Sequence, residues 1–436
     1  MLSLLGLLVG LALLVWLTMR GMELLVAAPL CALLVAVTSG FALFPQLAAQ
    51  GAPNFTGAYM SGFVTFVQSW FFMFLLGSLF GKVMEASGAA DAVAEWIVGR
   101  IGARHAMAAV VLACAVLTYG GVSLFVVAFS VYPMAPSLFR VADLPRRFIP
   151  AALAFGSVTF TMTSAGSPEI QNWIPTTFLG TTPYAAWEAS LAVALAMALG
   201  GYLWLQWMAR RAAAAGERFD GRVDDPRVEQ RERPAMWRGV LPLLAVLVVS
   251  FLLHDSLKES ALIVALGAGV GAAILLNWRF LAGRLGQAAT HGALGALIAI
   301  ANTAAVVGFG GVAKLTPGFQ AAVDSMTSLP GTPLVGAAIA VSVIAGLTGS
   351  ASGGQVIALP LIAPHYLDQG VDPEALHRVV SIASGGLDSL PHNGYVVTTV
   401  RSICRESYAA AYPAVAALTV IVPVLGTILA IALLSF

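Results

Sequence analysis

The sequence predicts an all-α polytopic membrane protein with two inverted-topology repeats, each containing a re-entrant hairpin and a discontinuous transmembrane helix. Three observations predict this fold class. The 436 residues are 59% hydrophobic and 10% charged, with a mean hydropathy of +0.88, whereas about a quarter of the residues in soluble domains are charged. Glycine-rich polar stretches interrupt several long apolar segments. The same order of segments also occurs twice along the chain.

The N-terminal repeat is predicted to comprise residues 1–209. A helix needs about 20 apolar residues to cross a bilayer, and the predicted spans are 2–17, 22–44, 58–80 and 187–208. Residues 84–101 mix charged and apolar side chains, which predicts an interfacial amphipathic helix. A hairpin is predicted at about 106–134 and a broken helix at about 148–179. The first segment lacks a basic start and a cleavage site, so it is expected to be a retained helix and not a secretory signal.

A charged linker separates the two repeats at residues 210–238. It holds eight arginines and six acidic residues, which makes it too polar to insert into a membrane. Because short cytoplasmic loops are enriched in Lys and Arg, the linker is predicted to be cytoplasmic.

The C-terminal repeat, residues 239–436, follows the same plan. The predicted spans are 240–253, 261–276, 287–312 and 412–434. A second hairpin is predicted at about 334–362 and a second broken helix at about 376–400. Glycine and proline within these two segments favour interruption over a continuous helix.

Loop charges place the two repeats in opposite orientations. At one constant offset, Gly121 aligns with Gly349 and Gly166 with Gly394. The loop after the first hairpin is basic, with Arg140, Arg146 and Arg147. The corresponding loop after the second hairpin is acidic, with Asp368, Asp372 and Glu374. The positive-inside rule then predicts a cytoplasmic first loop and an external second loop. Both termini are predicted to be external.

The hairpins are preferred to full spans because of the basic residues that flank the first of them. Re-entrant hairpins keep Arg100 and Arg104 on the same side as Arg140 and Arg147. Full spans would put these two pairs on opposite sides and break the charge rule. Full spans remain the alternative.

Four polar clusters, two hairpin tips and two helix breaks, are predicted to converge near the middle of the membrane. Broken helices direct their N-terminal N–H groups into a buried site, which favours an anion such as a carboxylate. Hydroxyl, amide and glycine residues dominate, so neutral donors and not a fixed basic residue are expected to hold it. The predicted substrate-binding residues are Tyr119, Gly120, Gly121, Ser123, Thr163, Ser164, Gly166, Ser167, Gln171, Asn172, Thr348, Gly349, Ser350, Ser352, Gln355, Ser389, His392, Asn393 and Gly394. The alternative is that these small residues only pack helices.

Three titratable residues lie within these breaks and are predicted carriers of a coupling proton: Asp388, His392 and Glu169. Ionisable side chains inside a membrane segment indicate function, and the unperturbed pKa of histidine lies near neutral pH. Asp388 and His392 would share one face if the segment is helical. The alternatives are a neutral hydrogen-bonding role for His392 and helix capping for Glu169.

Four motifs carry a resemblance that covers nearly the whole chain. They are YGGVS at 119–123, TFTMTSAGSPEIQN at 159–172, GSASGG at 349–354 and SGGLDSLPHNG at 384–394. Together they resemble the gluconate permease family of the ion transporter superfamily. The family resemblance implies proton symport of gluconate or related hydroxy acids into the cell across a bacterial cytoplasmic (inner) membrane. The superfamily implies a homodimer with a scaffold part and a moving transport part, which is an elevator mechanism.

Several alternatives stay open at this point. The substrate is either gluconate-like or a short hydroxy monocarboxylate, and sodium is the alternative coupling ion to the proton. A membrane-embedded enzyme is disfavoured because neither a nucleophile–base pattern nor an HExxH motif is present. A passive channel suits two broken helices less well than an occluded site does. No cofactor, metal or nucleic-acid partner is expected, since Cys31, Cys114 and Cys404 stand singly and the net charge is only +1.

Overall fold

The computed structural model describes residues 2–20, 22–102, 105–222, 232–258, 260–321, 332–391 and 393–435. Within these ranges the chain is helical, without β-strands. The helices are α1 (Leu2–Met19), α2 (Leu24–Thr38), α3 (Phe55–Ala86), α4 (Ala89–Ile101), α5 (Ala106–Tyr119), α6 (Leu124–Val131), α7 (Ala135–Val141), α8 (Ile149–Ala154), α9 (Ile174–Leu179), α10 (Trp187–Ala214), α11 (Met236–Leu257), α12 (Ser260–Leu281), α13 (Leu285–Ala313), α14 (Pro333–Thr348), α15 (Ala351–Asp368), α16 (Pro373–Leu387), α17 (Gly394–Val397), α18 (Tyr408–Ala416) and α19 (Val422–Leu434).

Seven helical segments of the described chain are long and apolar enough to cross a membrane. They are Phe55–Ala86, Leu124–Val141, Trp187–Ala214, Met236–Leu257, Ser260–Leu281, Leu285–Ala313 and Tyr408–Leu434. The predicted all-α membrane fold is confirmed. The inverted relation between the repeats stays a prediction.

Helices from both halves of the chain pack into a first bundle of α1–α3 and α11–α13. Its centre is the antiparallel pair α3 and α13, which cross closely because glycines line the contact. A Cβ atom on Gly62 would lie 2.6 Å from the Val307 carbonyl oxygen, and one on Gly311 would lie 2.5 Å from that of Ala58. Small residues allow this approach of two membrane helices.

A second bundle contains the polar breaks. It is formed by α8–α10 and α14–α19, with α16 packed against α9, α14, α15 and α19. The short helix α4 and the hairpin helix α5 connect the two bundles, because α4 contacts both α5 and α11. The predicted amphipathic helix is therefore present as α4, but its buried residues Ala90, Val93 and Ile97 pack on protein and not on a lipid surface.

The chain leaves regular α-helix within each of the two segments for which a broken helix is predicted. After α8 the chain forms a π-helical turn, Phe155–Thr159, and residues 160–169 are then non-helical before α9 begins. The second break is shorter than predicted, because α16 continues through Gly385 and Gly386 and ends only at Leu387. The Gly386 position faces Val424 of α19 at van der Waals distance. These glycines thus serve helix packing, and Asp388 stands at the start of the break, which reaches to residue 393.

Sharp turns follow α5 and α14, as the hairpin prediction requires. Gly121 has a φ of +89° and Gly349 a φ of +63°, values that glycine adopts without strain. Helix α14 packs along α15 after the second turn. The arm after the first turn runs as far as Val141 and is itself long enough to cross a membrane, so the choice between re-entrant hairpins and full spans stays a prediction.

A cluster of ion pairs joins the charged linker to both halves of the chain. The carboxylate of Glu406 accepts a hydrogen bond from Arg146 at 3.0 Å and forms an ion pair with Arg222, also at 3.0 Å. Arg147 pairs with Glu217 at 2.7 Å. Residues that were all predicted to be cytoplasmic therefore meet at one end of the molecule. The rest of the linker, residues 223–231, and Arg104 lie outside the described residues.

Replacing Glu406 with glutamine should lower thermal stability more than replacing Glu217 with glutamine. The side chains of Glu406 and Arg146 are 7% and 5% exposed, whereas Glu217 is 42% exposed. Breaking a buried ion pair costs about 3 kcal/mol or more, while an exposed pair contributes about 1 kcal/mol at most. The melting temperatures of the two purified variants give the comparison. Equal melting temperatures would contradict this account of the cluster.

Candidate functional site

The first break, residues 160–169, is held in shape by a buried amide. The Asn172 side chain donates hydrogen bonds to the carbonyl oxygens of Ser167 at 3.2 Å and Pro183 at 2.8 Å. The Trp173 indole N–H also donates to the Ser167 carbonyl. Gly166, with a φ of +76°, makes the turn that Asn172 closes. Two of the predicted binding residues, Gly166 and Asn172, therefore shape the break itself.

Arg378 of α16 fastens this break to the second half of the chain. It is fully buried. Its guanidinium donates to the Thr163 carbonyl and to the Asn172 Oδ1 atom, both at 2.8 Å. It also donates to the Pro183 carbonyl at 3.1 Å and, from two nitrogens, to that of Ala185 at 2.8 and 3.0 Å. All five N–H donors of the side chain are thus used.

The positive charge of Arg378 has no carboxylate within ion-pair distance in the described part of the chain. Glu374 lies one helical turn earlier on α16, but it is exposed and accepts a hydrogen bond from the Ala186 backbone N–H. The hydrogen-bond acceptors around the guanidinium are all carbonyl oxygens. A buried charge without a counter-ion is costly. The positive charge at this position would therefore attract an anion.

Gln355 of α15 joins the second hairpin to the first break and to α16. Its amide nitrogen donates to the Gln171 carbonyl at 2.9 Å and to the Ser384 hydroxyl at 3.1 Å. Ser381 donates to the same Gln171 carbonyl at 3.3 Å. The side-chain oxygens of Gln171 and Gln355 are buried and accept no hydrogen bond from the described residues. Two acceptors are therefore available to a ligand.

The second break lies against the second hairpin tip. The Asn393 side chain donates to the Gly349 carbonyl at 3.1 Å and accepts the Val396 N–H at 2.9 Å, which caps α17. Tyr408 and Tyr412 of α18 hold the break from the other side through hydrogen bonds to its carbonyl groups. Asp388 is 6% exposed and accepts one hydrogen bond, from Ser389 at 2.9 Å.

The first hairpin tip contacts the first break. The Tyr119 hydroxyl donates to the Ala165 carbonyl at 2.6 Å, and Gly121 lies beside Pro168. Gly120 instead packs against Leu243 of α11, and Ser123 lies next to Gly81 of α3. Of this predicted cluster, Tyr119 and Gly121 therefore face the break, whereas Gly120 and Ser123 face the first bundle.

Most of the remaining predicted binding residues make hydrogen bonds only within their own segment of the chain. Thr348 donates to the Ile344 carbonyl, Ser350 caps α15, and the Ser350 and Ser352 hydroxyl oxygens lie 3.3 Å apart. Ser164 donates to the Phe160 carbonyl, and Ser167 accepts the Glu169 N–H. No neighbouring group lies within 4 Å of a Cβ position on Gly394. His392 lies outside the described residues.

The first break lies along one face of α16, close to the start of the second break. A Cβ atom on Gly385 would lie 3.5 Å from the Thr163 methyl group, which puts the first break beside the segment that leads to Asp388. Arg378 and Asp388 stand ten residues apart on this helix, or about 15 Å at 1.5 Å per residue. The arrangement separates a buried cation from a buried acid. Glu169 is partly exposed and makes no side-chain ion pair with a described residue.

Arg378 and its neighbour His377 were missed in the sequence analysis, which expected neutral donors only. His377 is fully buried, with its Nδ1 atom 2.7 Å from the Thr181 hydroxyl. The available signal was an arginine inside a predicted membrane span, which is rare without a function. In the described chain, no group of three or more His, Cys, Asp or Glu side chains could hold a metal ion.

Comparison with known proteins gives two curated relatives. The chain is 37% identical over 433 residues to the uncharacterized transporter YxjC of Bacillus subtilis, and the match covers 90% of each protein. It is 24% identical over 335 residues to an uncharacterized transporter of Haemophilus influenzae, covering 75% of each. No protein-family model matches the chain. Neither relative is named as a gluconate permease, so that resemblance stays a prediction.

Two solved structures share the fold over nearly the whole chain. The YdaH transporter of Alcanivorax borkumensis matches with a TM-score of 0.51 and 18% identity, covering 98% of this chain and 97% of that one. MtrF of Neisseria gonorrhoeae, described as illuminating a class of antimetabolite efflux pumps, matches with a TM-score of 0.53 and 15% identity, covering 94% and 93%. At these identities the likeness concerns the fold alone.

Proposed function

The chain belongs to the same family as the Bacillus subtilis transporter YxjC, and we propose that this membrane transporter carries a small organic anion by secondary active transport. The single observation that carries the proposal is the buried, carboxylate-free charge of Arg378 between the first break and α16. A transported anion would supply the missing counter-charge. All five N–H donors of the Arg378 guanidinium are already engaged. Arg378 would therefore attract the anion through long-range electrostatics and not through a direct hydrogen bond.

The size of this attraction is sufficient to select anions. Two unit charges about 8 Å apart attract by about 2 kcal/mol at an effective dielectric constant of about 20. That energy corresponds to more than tenfold in affinity. Neutral analogues of the substrate would lose this contribution. The field therefore supports an anion over an uncharged solute of the same shape.

The polar groups at the site support a hydroxy acid. The free side-chain oxygens of Gln171 and Gln355 can accept hydrogen bonds from hydroxyl groups of the substrate. A gluconate-like acid or a short hydroxy monocarboxylate meets this requirement, whereas a simple carboxylate leaves these buried oxygens unpaired at a cost of about 1–3 kcal/mol each.

Proton symport with alternating access completes the proposal. Asp388, buried at the start of the second break, is the proposed proton carrier, with His392 and Glu169 as further candidates. The second bundle, which holds both breaks, would move against the first bundle in an elevator motion.

We propose that the protein lies in a bacterial cytoplasmic membrane as a homodimer, with the linker inside and both termini outside. Sodium coupling is the second candidate mechanism.

A ligand panel with the purified protein tests the proposal. Gluconate, 3-hydroxybutyrate, lactate, citrate and their uncharged analogues are screened by thermal shift, since a ligand that binds only the folded state raises its melting temperature. The stabilising anion is then used for uptake into proteoliposomes. We expect concentrative uptake that an uncoupler abolishes and that does not need sodium. Uptake that survives the uncoupler but requires sodium would favour the second mechanism. An uncharged analogue binding as tightly as the acid would overturn the anion assignment.

A further inference from the structure

A long apolar groove lies between α10 and α11 and reaches the first break at its inner side, where Phe160, Thr161, Ser164 and Ala165 line it. Its volume is about 830 Å³. One wall carries Trp187, Leu191 and Leu195 of α10, and the other carries Leu244, Leu247 and Phe251 of α11. Most of these large side chains are about half exposed. Both walls are helices long and apolar enough to cross a membrane, so the groove opens onto the hydrocarbon core of the bilayer.

Four polar side chains in the interior of the groove, those of Tyr119, Thr161, Ser164 and Ser190, make hydrogen bonds within the protein. Tyr119 donates to the Ala165 carbonyl, Ser164 to the Phe160 carbonyl, and Ser190 accepts the Ala165 N–H. The lining contains no Lys, Arg, Asp or Glu side chain. The interior therefore offers no counter-charge to a polar head group, and its mostly apolar lining suits a hydrocarbon chain.

Aromatic side chains mark one end of the groove. From Val240 to His254 the α11 wall extends over 14 residues, or about 21 Å. Tyr184 and His254 close one end, with ring centroids 4.7 Å apart, and Trp187 lies beside them in the lining. Tyrosine and tryptophan are enriched where a membrane meets water. This end therefore lies at head-group level, and the rest of the groove lies at the depth of the acyl chains.

We propose that the groove between α10 and α11 is a binding site for one acyl chain of a bilayer phospholipid, with the head group at the Tyr184 and His254 end. Phospholipid is the proposed occupant because the groove opens onto the bilayer that phospholipids form, and a free fatty acid is the alternative that the experiment below distinguishes. The occupant would lie between the bundles, since α10 packs on α19 of the second bundle and α11 on α12 of the first. It would also contact the hairpin tip at Tyr119 and Gly120.

Photo-crosslinking in proteoliposomes tests the proposal independently of any substrate. One phosphatidylcholine probe carries a diazirine at the end of an acyl chain and a second carries it on the head group. Mass spectrometry of the wild-type protein should find the chain probe on α10 and α11 residues of the groove and the head-group probe near His254. Ala194→Trp, which fills the groove, should lose the chain crosslinks. Ala196→Trp is the matched control, because Ala196 is exposed on the same helix and does not line the groove.

Three results would overturn the proposal. Chain crosslinks that persist in Ala194→Trp would place the lipid elsewhere. A head-group probe that labels the groove interior would reverse the orientation. Free fatty acid recovered in place of phospholipid from the purified protein would change the occupant. If Ala194→Trp does not fold, Ala198→Phe fills the same groove, and the crosslink map of the wild-type protein stands as a test by itself.

Discussion

An uptake rate at least a hundredfold below wild type is the expected result when Arg378 is replaced by lysine. The guanidinium makes five hydrogen bonds, to Thr163, Asn172, Pro183 and Ala185, whereas a lysine ammonium has three donors and a different geometry. Each lost bond to a charged group costs about 1.5–3 kcal/mol, so two lost bonds exceed a hundredfold effect. Because lysine keeps the positive charge, a loss of uptake would show that transport requires the hydrogen bonds that hold the first break in position.

The matched measurement uses proteoliposome uptake and thermal shift together. Arg279→Lys is the control, because the Arg279 side chain is 81% exposed and its uptake rate should be unchanged. Arg378→Met should additionally lose the anion-induced rise in melting temperature, since it removes the charge. Wild-type uptake by Arg378→Lys, or full anion stabilisation of Arg378→Met, would show that this residue neither positions the break nor attracts the substrate.

Asp388→Asn should abolish proton-driven uptake while the variant still inserts and still exchanges substrate. The carboxylate is buried at the start of the second break and has one hydrogen bond, from Ser389. Asparagine preserves the shape of the side chain but cannot take up a proton. Proton-driven uptake is therefore expected to fail while substrate exchange continues. Counterflow with equal pH on both sides measures exchange, and an imposed pH gradient measures coupling. His392→Ala is expected to lose coupled uptake as well.

The control for this experiment is Asp255→Asn, because the Asp255 side chain is 82% exposed at the end of α11. It should keep both activities. Normal pH-driven accumulation by Asp388→Asn would remove Asp388 from the coupling mechanism. Loss of counterflow together with coupling would instead assign it to substrate binding or folding.

The all-helical membrane fold could be predicted from the sequence for simple physical reasons. A membrane span requires about 20 apolar residues, and backbone that leaves a helix inside a membrane must be polar-lined or glycine-rich. The turns at Gly121 and Gly349 and the break around Gly166 follow from these requirements. The glycines of the motif SGGLDSLPHNG suggested an interruption, yet Gly385 and Gly386 remain helical, with Gly385 beside Thr163 and Gly386 beside Val424 of α19.

Long-range contacts could not be predicted in the same way. Nothing in the local sequence links Arg378 to Thr163 or to Ala185, which lie about 200 residues away along the chain and come into contact only through the fold. The burial of α4 on protein has the same cause. An apolar helix face looks the same in sequence whether lipid or another helix covers it. The predicted binding segments stay a prediction, and the sequence analysis did not include the buried charge of Arg378 among them.

A structure of the protein in lipid nanodiscs, with the anion selected by the ligand panel, tests the proposed anion site directly. We expect density for one anion between the first break, residues 160–169, and the segment 384–394. The Gln171 and Gln355 side-chain oxygens should face its hydroxyl groups, with Arg378 nearby but still bonded to the Thr163 and Ala185 carbonyls. Anion density at any other place in the molecule, with this site closed and unchanged, would contradict it.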